Sequence, residues 1–142
     1  MAFVSVTRLR VKSIIYLIPF FKANEASVKE LKKSEGLIKA KELLDKHLVF
    51  WTITLWEDED SMKKFRICNA HRSAMQYLPV WCDEASYHHW IQEGNEFPTW
   101  ENVSEKLFRE GKLSKIRNPS IAQASNSFPP IKWTKTERKL KS

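Results

Sequence analysis

The stretch HLVFWTITLW, residues 47–56, is the most strand-like part of the chain, because β-branched and aromatic side chains suit a pleated surface. Val49, Trp51, Ile53 and Leu55 fall on one face of that strand, and Phe50, Thr52, Thr54 and Trp56 on the other. A strand with one wet face alternates apolar with charged residues, so this one expects cover on both sides. Just upstream, LIKAKELLD (37–45) reads as its antiparallel partner, joined tightly around Asp45 and Lys46.

Working outward, FVSVTRLRV (3–11) reads as a strand with Phe3, Ser5, Thr7 and Leu9 on one face and Val4, Val6, Arg8 and Arg10 on the other. Ser13 opens a helix that runs through IIYLIPFF to about Lys33, bent or broken near Pro19, and Gly36 ends the segment. After the central hairpin, EDEDSMKKF starts a helical region with carboxylates at the positive end of its dipole. That region continues to Pro79 with a break near Asn69, and EASYHHWIQ (84–92) is a further strand. Thr99 caps a short helix whose stripe is Trp100, Val103 and Leu107, and Gly111 stops it. The order β-α-β-β-α-β predicts an α+β ferredoxin-like domain, a four-stranded antiparallel sheet with helices on one face. Its other face is then bare in a single chain. A second copy packed sheet to sheet, making a homodimer and a dimeric α/β barrel, is the expected cover.

The net charge of +7 is confined to one end: residues 1–111 hold 16 Lys+Arg and 16 Asp+Glu, whereas residues 112–142 hold 8 against 1. The chain therefore divides into a domain (1–111) and a basic, Pro-containing tail (112–142), read as an extended wrapping segment anchored by Phe128, Ile131 and Trp133. Nucleic acid is not the expected partner, since the domain itself has no basic face. Arg8, Arg10 and Lys12 before the apolar run imitate a secretory signal, but Lys22 closes the run far short of the ~20 residues that span a bilayer. Cys68 and Cys82 have no metal-ligand or redox-motif spacing, so a reduced, cytoplasmic chain with buried structural cysteines is expected.

Residues 70–90, AHRSAMQYLPVWCDEASYHHW, hold three of the four histidines. His71 shares a helical stripe with Ile67, Met75 and Leu78 and should face the sheet, either as a core imidazole or as a base or ligand. His88 and His89 are neighbours on a strand and point to opposite faces, so they do not chelate one ion together, and no metal site is predicted. The alternation leaves open which of the two faces the cavity. His47 belongs to the hairpin turn.

SEGLIKAKELL followed by HLVFWTITLWEDEDSMKKFRICNAHRSAM resembles the antibiotic-biosynthesis-monooxygenase-like dimeric α/β barrels. LWEDEDSMKKF, HRSAM, HWIQEG and PTWENVSEKLFREG are more narrowly similar to a branch related to spheroidene monooxygenase, a haem-associated carotenoid oxidase. The likeness spans residues 3–111 and implies the barrel fold, with haem as one cofactor to consider. Haem-degrading members use an Asn, a Trp and a His, and those places fall at Thr7, Phe65 and Met75. None of these keeps the needed chemistry.

Two readings follow. In the first, an oxygenase-like enzyme takes a hydrophobic organic substrate, with or without haem, in a pocket between sheet and helices. Phe3, Ser5, Thr7, Phe50, Thr52, Thr54, Phe65 and Met75 would line it, and His71 would act in catalysis. In the second, a non-catalytic dimeric barrel binds a small apolar ligand or a protein partner.

Overall fold

Ten residues of largely alternating burial, Ala2–Val11, form the strand β1 near the centre of the computed structural model, which describes residues 1–45, 47–129, 131 and 136–141. Ser13 then accepts a hydrogen bond from the Ile15 amide and starts a 3-10 turn, Ile14–Tyr16, that runs into α1, Leu17–Lys32. The expected break at Pro19 does not occur. Pro19 sits in the first turn of α1, where amides have no partner within the helix, so the missing N–H costs nothing there. Gly36, at φ 82°, turns the chain into β2 (Leu37–Asp45), and a Cβ there would meet the Ser61 side chain at 2.2 Å. No other residue fits that approach.

β2 pairs with β3 (Val49–Trp56) in the expected hairpin; Lys46, in the turn, lies outside the described residues. Asp58 caps α2 (Glu59–Arg66) by accepting from the Ser61 amide at 2.8 Å, and the helical region breaks before α3 (Asn69–Trp81). α3 runs past Pro79 for two more residues. β4 (Cys82–Gln92) and α4 (Trp100–Glu110) complete the expected order.

The sheet differs from expectation in having six strands: β5 (Lys112–Leu113) and β6 (Arg138–Lys141) extend it to the order β5-β4-β1-β3-β2-β6. The two extra strands come from the basic segment. β5 pairs with β4, and β6 pairs with β2. Edge strands carry unpaired amides and carbonyls that another strand readily satisfies. Between β5 and β6 lies the short helix α5 (Ile121–Ser125). Its buried Gln123 donates to the Ala85 and Ser114 carbonyls and accepts from the Ala85 amide, each at 3.1 Å, so a side chain stands in for a strand.

The cover of the second sheet face is the other departure. Val4, Val6, Trp51, Ile53 and Leu55 are buried against Trp100, Val103 and Leu107 of α4, with Ile131 of the C-terminal segment packed beside them. The face assigned to a second copy is therefore occupied by the chain's own C-terminal part. Burying it within one chain removes the water exposure that called for a partner. On the same face Arg8, 2% exposed, pairs with Glu84 at 2.5 Å, and Ser120 donates to the other Glu84 oxygen at 2.8 Å. The Phe128 ring lies 4.2 Å from the Arg8 guanidinium. Of the three expected anchors, Phe128 and Ile131 thus pack on the domain, and Trp133 lies outside the described residues. Among the described residues, no helix is long and apolar enough to cross a membrane.

Candidate functional site

Antiparallel register aligns the helix-facing side chains of β1, β3 and β4 into rows across the sheet. One row reads His89, Ser5, Thr54, and the next Tyr87, Thr7, Thr52, continuing to Glu42 on β2. Apolar rows flank this polar belt: Ile91, Phe3 and Trp56 on one side, and Ala85, Leu9 and Phe50 on the other. The β period of two makes such a belt inevitable once Ser5 and Thr7 on β1 are opposed by Thr54 and Thr52 on β3.

Above the belt α1, α2 and α3 leave a cavity of about 360 Å³, roofed by Phe20, Met62, Phe65, Leu78 and Trp81. Residues 114–116 and Leu140, all from the C-terminal segment, also line it. Its walls are mainly apolar, and its size falls in the lower part of the range for small-molecule sites. Ser27, on α1, has a buried hydroxyl with no hydrogen-bond partner. Thr54 is engaged, accepting from the Trp56 indole at 2.8 Å. Among the described residues the Ser5, Thr7 and Thr52 hydroxyls have no such partner, which leaves them free for a ligand.

Two imidazoles line the cavity. His71 places Nδ1 3.0 Å from the Arg66 carbonyl. A carbonyl only accepts, so Nδ1 carries the proton and the neutral ring keeps its lone pair on Nε2. Burial, opposed by that hydrogen bond and reinforced by the Arg66 charge, holds the His71 pKa below its ordinary 6.5. The Phe65 ring packs against His71 with centroids 4.9 Å apart and against Trp56 at 5.8 Å. His89 lies between Phe3 and Tyr87, at 5.5 and 5.7 Å, and its pKa is also lowered, first by burial and then by Arg66. His88 points to the other face and meets Glu110 at 3.1 Å.

The structure thus brings Ser5, Thr7, Thr52, Thr54, Phe65, His71 and Met75 to one cavity. Phe50 is not in its lining: it stacks on Phe20, centroids 4.5 Å apart, in a separate cluster with Val11 and Cys82. Phe3 is not in the lining either: it packs in the cluster of Trp56 and Phe65 and against the His89 ring, which does line the cavity. The expected buried stripe through Ile67, His71, Met75 and Leu78 is interrupted, since Ile67 is 63% and Met75 46% exposed. The break between α2 and α3 explains Ile67, which precedes the new helix, whereas Met75 lies within α3 and is half exposed while still lining the cavity. Tyr87 and Ser27 are not legible as site residues in the sequence, and the choice between His88 and His89, left open there, falls on His89. The pairing Ser5↔His89 makes that choice, and it follows only from β4 lying beside β1.

Haem breakdown by the Asn, Trp and His of the haem-degrading barrels does not fit these residues. Thr7 and Phe65 offer neither the amide nor the indole donor, and Met75 is half exposed at the rim. Among the described residues no group of three or more His, Cys, Asp or Glu converges as metal ligands. Cys82, completely buried, has its thiol pKa pushed up to about 12 by burial and by Asp83, which makes it a poor nucleophile.

No family model and no curated protein matches the chain. Solved structures do. SnoaB, a cofactor-independent oxygenase from Streptomyces nogalater, is 14% identical with TM-score 0.54, over 66% of this chain and 95% of that one. An antibiotic biosynthesis monooxygenase is 8% identical with TM-score 0.57, over 65% and 99%. A dimeric ferredoxin-like protein from Jannaschia sp. CCS1 is 10% identical with TM-score 0.57, over 65% and 100%. At these identities the likeness carries the architecture: the chain has the ferredoxin-like α+β fold of the antibiotic-biosynthesis-monooxygenase-like proteins.

Proposed function

We propose that the chain is an oxygenase-like enzyme that takes a compact, hydrophobic organic substrate into the cavity between sheet and helices. The observation that carries this reading is the polar belt across the floor of an otherwise apolar cavity, with unpartnered hydroxyls and two imidazoles of lowered pKa. His71 is the group for catalysis. Its neutral Nε2 would accept a proton from a C–H acidified by a neighbouring carbonyl or phenol, and Ser5, Thr7 and Thr52 would hydrogen-bond the oxyanion that results. Dioxygen would then take the electrons of that carbanion; overall a CH₂ group and O₂ give a carbonyl and water. SnoaB, described as a cofactor-independent oxygenase, supports this chemistry by analogy of fold.

The experiment is oxygen uptake by the purified protein against a panel of aromatic ketones and phenols, beside a haemin titration followed by absorbance. Uptake that falls at least a hundredfold in His71→Ala, with no Soret band on haemin addition, is the expected result. Uptake unchanged by that substitution overturns the role of His71. Ligand binding that quenches tryptophan fluorescence without oxygen uptake establishes the non-catalytic reading. A sharp Soret band restores haem. The homodimer suggested by the sequence would need a surface other than the second sheet face, which the chain covers itself.

A further inference from the structure

The cavity takes Phe20 from the apolar run 14–21 but leaves Ile14, Ile15, Ile18 and Phe21 unused. Ile14, Ile15 and Ile18 are 72%, 71% and 67% exposed, and Phe21 is 39% exposed. Scattered exposed apolar residues are ordinary, but these lie within eight positions, three of them at i, i+4 and i+7. The same outward stripe continues through Glu25, Lys29 and Lys32, also exposed. One helix face is therefore apolar in its first half and charged in its second.

The surroundings of the apolar half are aromatic and cationic. Lys12 lies 5.4 Å from the Tyr16 ring, and its amide donates to the Trp81 carbonyl. Tyr77, 54% exposed, stacks on Trp81 at 5.3 Å, and the Arg117 amide donates to the Pro79 carbonyl. Lys22, Lys115 and Arg117 are exposed, and the segments 12–24, 69–82 and 111–120 contain no Asp or Glu. Among the described residues two acids stand at this end: Asp83, paired with Arg10 at 2.8 Å, and Asp45 at the β2–β3 turn, whose charge acts on Arg8.

We propose that this tip of the molecule docks on an anionic lipid surface, with Ile14, Ile15 and Ile18 inserted among the acyl chains. An interfacial element of this kind needs an apolar wedge, Tyr and Trp at headgroup depth, and cations against lipid phosphate, and the tip has all three. The stripe's change from apolar to charged sets the depth: α1 enters by its first turns and keeps Glu25 and beyond in water. A protein partner would leave the excess of cations without a stated counterpart, whereas an anionic surface supplies one. The docking tip adjoins the cavity, because Phe20, Leu78, Pro79 and Trp81 line it at the same end of the α1–α3 pair. An apolar ligand could pass from bilayer to cavity without crossing water.

The test is sedimentation of the full chain with phosphatidylcholine vesicles, with and without phosphatidylglycerol, at low and high salt. Binding to the anionic vesicles that weakens with salt is expected, and Ile14→Ser/Ile18→Ser should lower the partition coefficient roughly tenfold or more. Ile67→Ser, also at an exposed isoleucine but before the opposite end of α3, should leave it unchanged. Circular dichroism confirms that each variant is folded. Equal partition of the double variant and the native protein overturns the proposal, as does absence of binding at low salt. A double variant that loses self-association on size exclusion, with no vesicle binding by either protein, overturns it in favour of a second copy.

Discussion

The buried Arg8–Glu84 pair makes a sharp test of how the C-terminal segment is held. Replacing Glu84 with Ala removes the carboxylate 2.5 Å from Arg8 and the acceptor of the Ser120 hydroxyl, and leaves a guanidinium only 2% exposed. Asp83 does not replace it, because it pairs with Arg10 at 2.8 Å. Breaking a buried pair from one side costs about 3–5 kcal/mol, since the charge that remains is desolvated and keeps only the weaker attraction of Asp45 and the aromatic rings beside it. Against a total stability of roughly 5–15 kcal/mol that is a large fraction. At about 2–4 °C per kcal/mol for a chain of this size, Tm should fall by roughly 6–20 °C. Because Ser120 and Phe128 both contact the pair, residues 114–129 should also become open to limited proteolysis before the domain does. Urea unfolding followed by tryptophan fluorescence measures the free energy. The double variant Arg8→Met/Glu84→Leu removes both charges and should recover most of the loss, as apolar replacements of buried pairs do. A Glu84→Ala protein within about 1 kcal/mol of the native one, or a double variant as unstable as the single, would refute the argument from an uncompensated charge.

Four other expectations follow. As pH falls below 6.5, unfolded chains protonate His71 before native ones do, so native stability should decline below that value and His71→Gln should flatten the slope; the acid limb of kcat/KM should likewise lie below 6.5. Gln123→Ala should cost about 1–3 kcal/mol, with faster hydrogen exchange at Ala85, because the β4 edge loses a buried partner for both its amide and carbonyl. In thiol titration Cys68 should react in the native state, and Cys82, pushed up to about 12, only on unfolding. A chain ending at Gly111 should bind an apolar dye and self-associate by light scattering, because β5, α5, β6 and Ile131 no longer cover the sheet.

Much of the frame was legible in local chemistry. The period of two in residues 3–11 and 47–56 places Ser5, Thr7, Thr52 and Thr54 on one face wherever the strands lie. Ser13, Asp58, Thr99 and Gly36 mark element ends through caps and turns that depend only on near neighbours. Phe50 was misplaced because alternation gives a face but not a position along it, and at that height Phe20 fills the space. The segment 112–142 was misjudged in its extra strands, since a sparse composition says nothing of the open edges that β2 and β4 offer to it.

The sequence alone determined the order of elements, the two-sided burial of β3 and the opposite directions of His88 and His89, all consequences of backbone geometry acting over a few residues. Only the tertiary structure decided that His89, and not His88, joins His71 at the cavity, because that depends on β4 lying beside β1. It also decided what covers the second face. That choice is a competition between a second copy and the chain's own α4 and C-terminal segment for one apolar surface, and tethering gives the chain's own segments a high effective concentration.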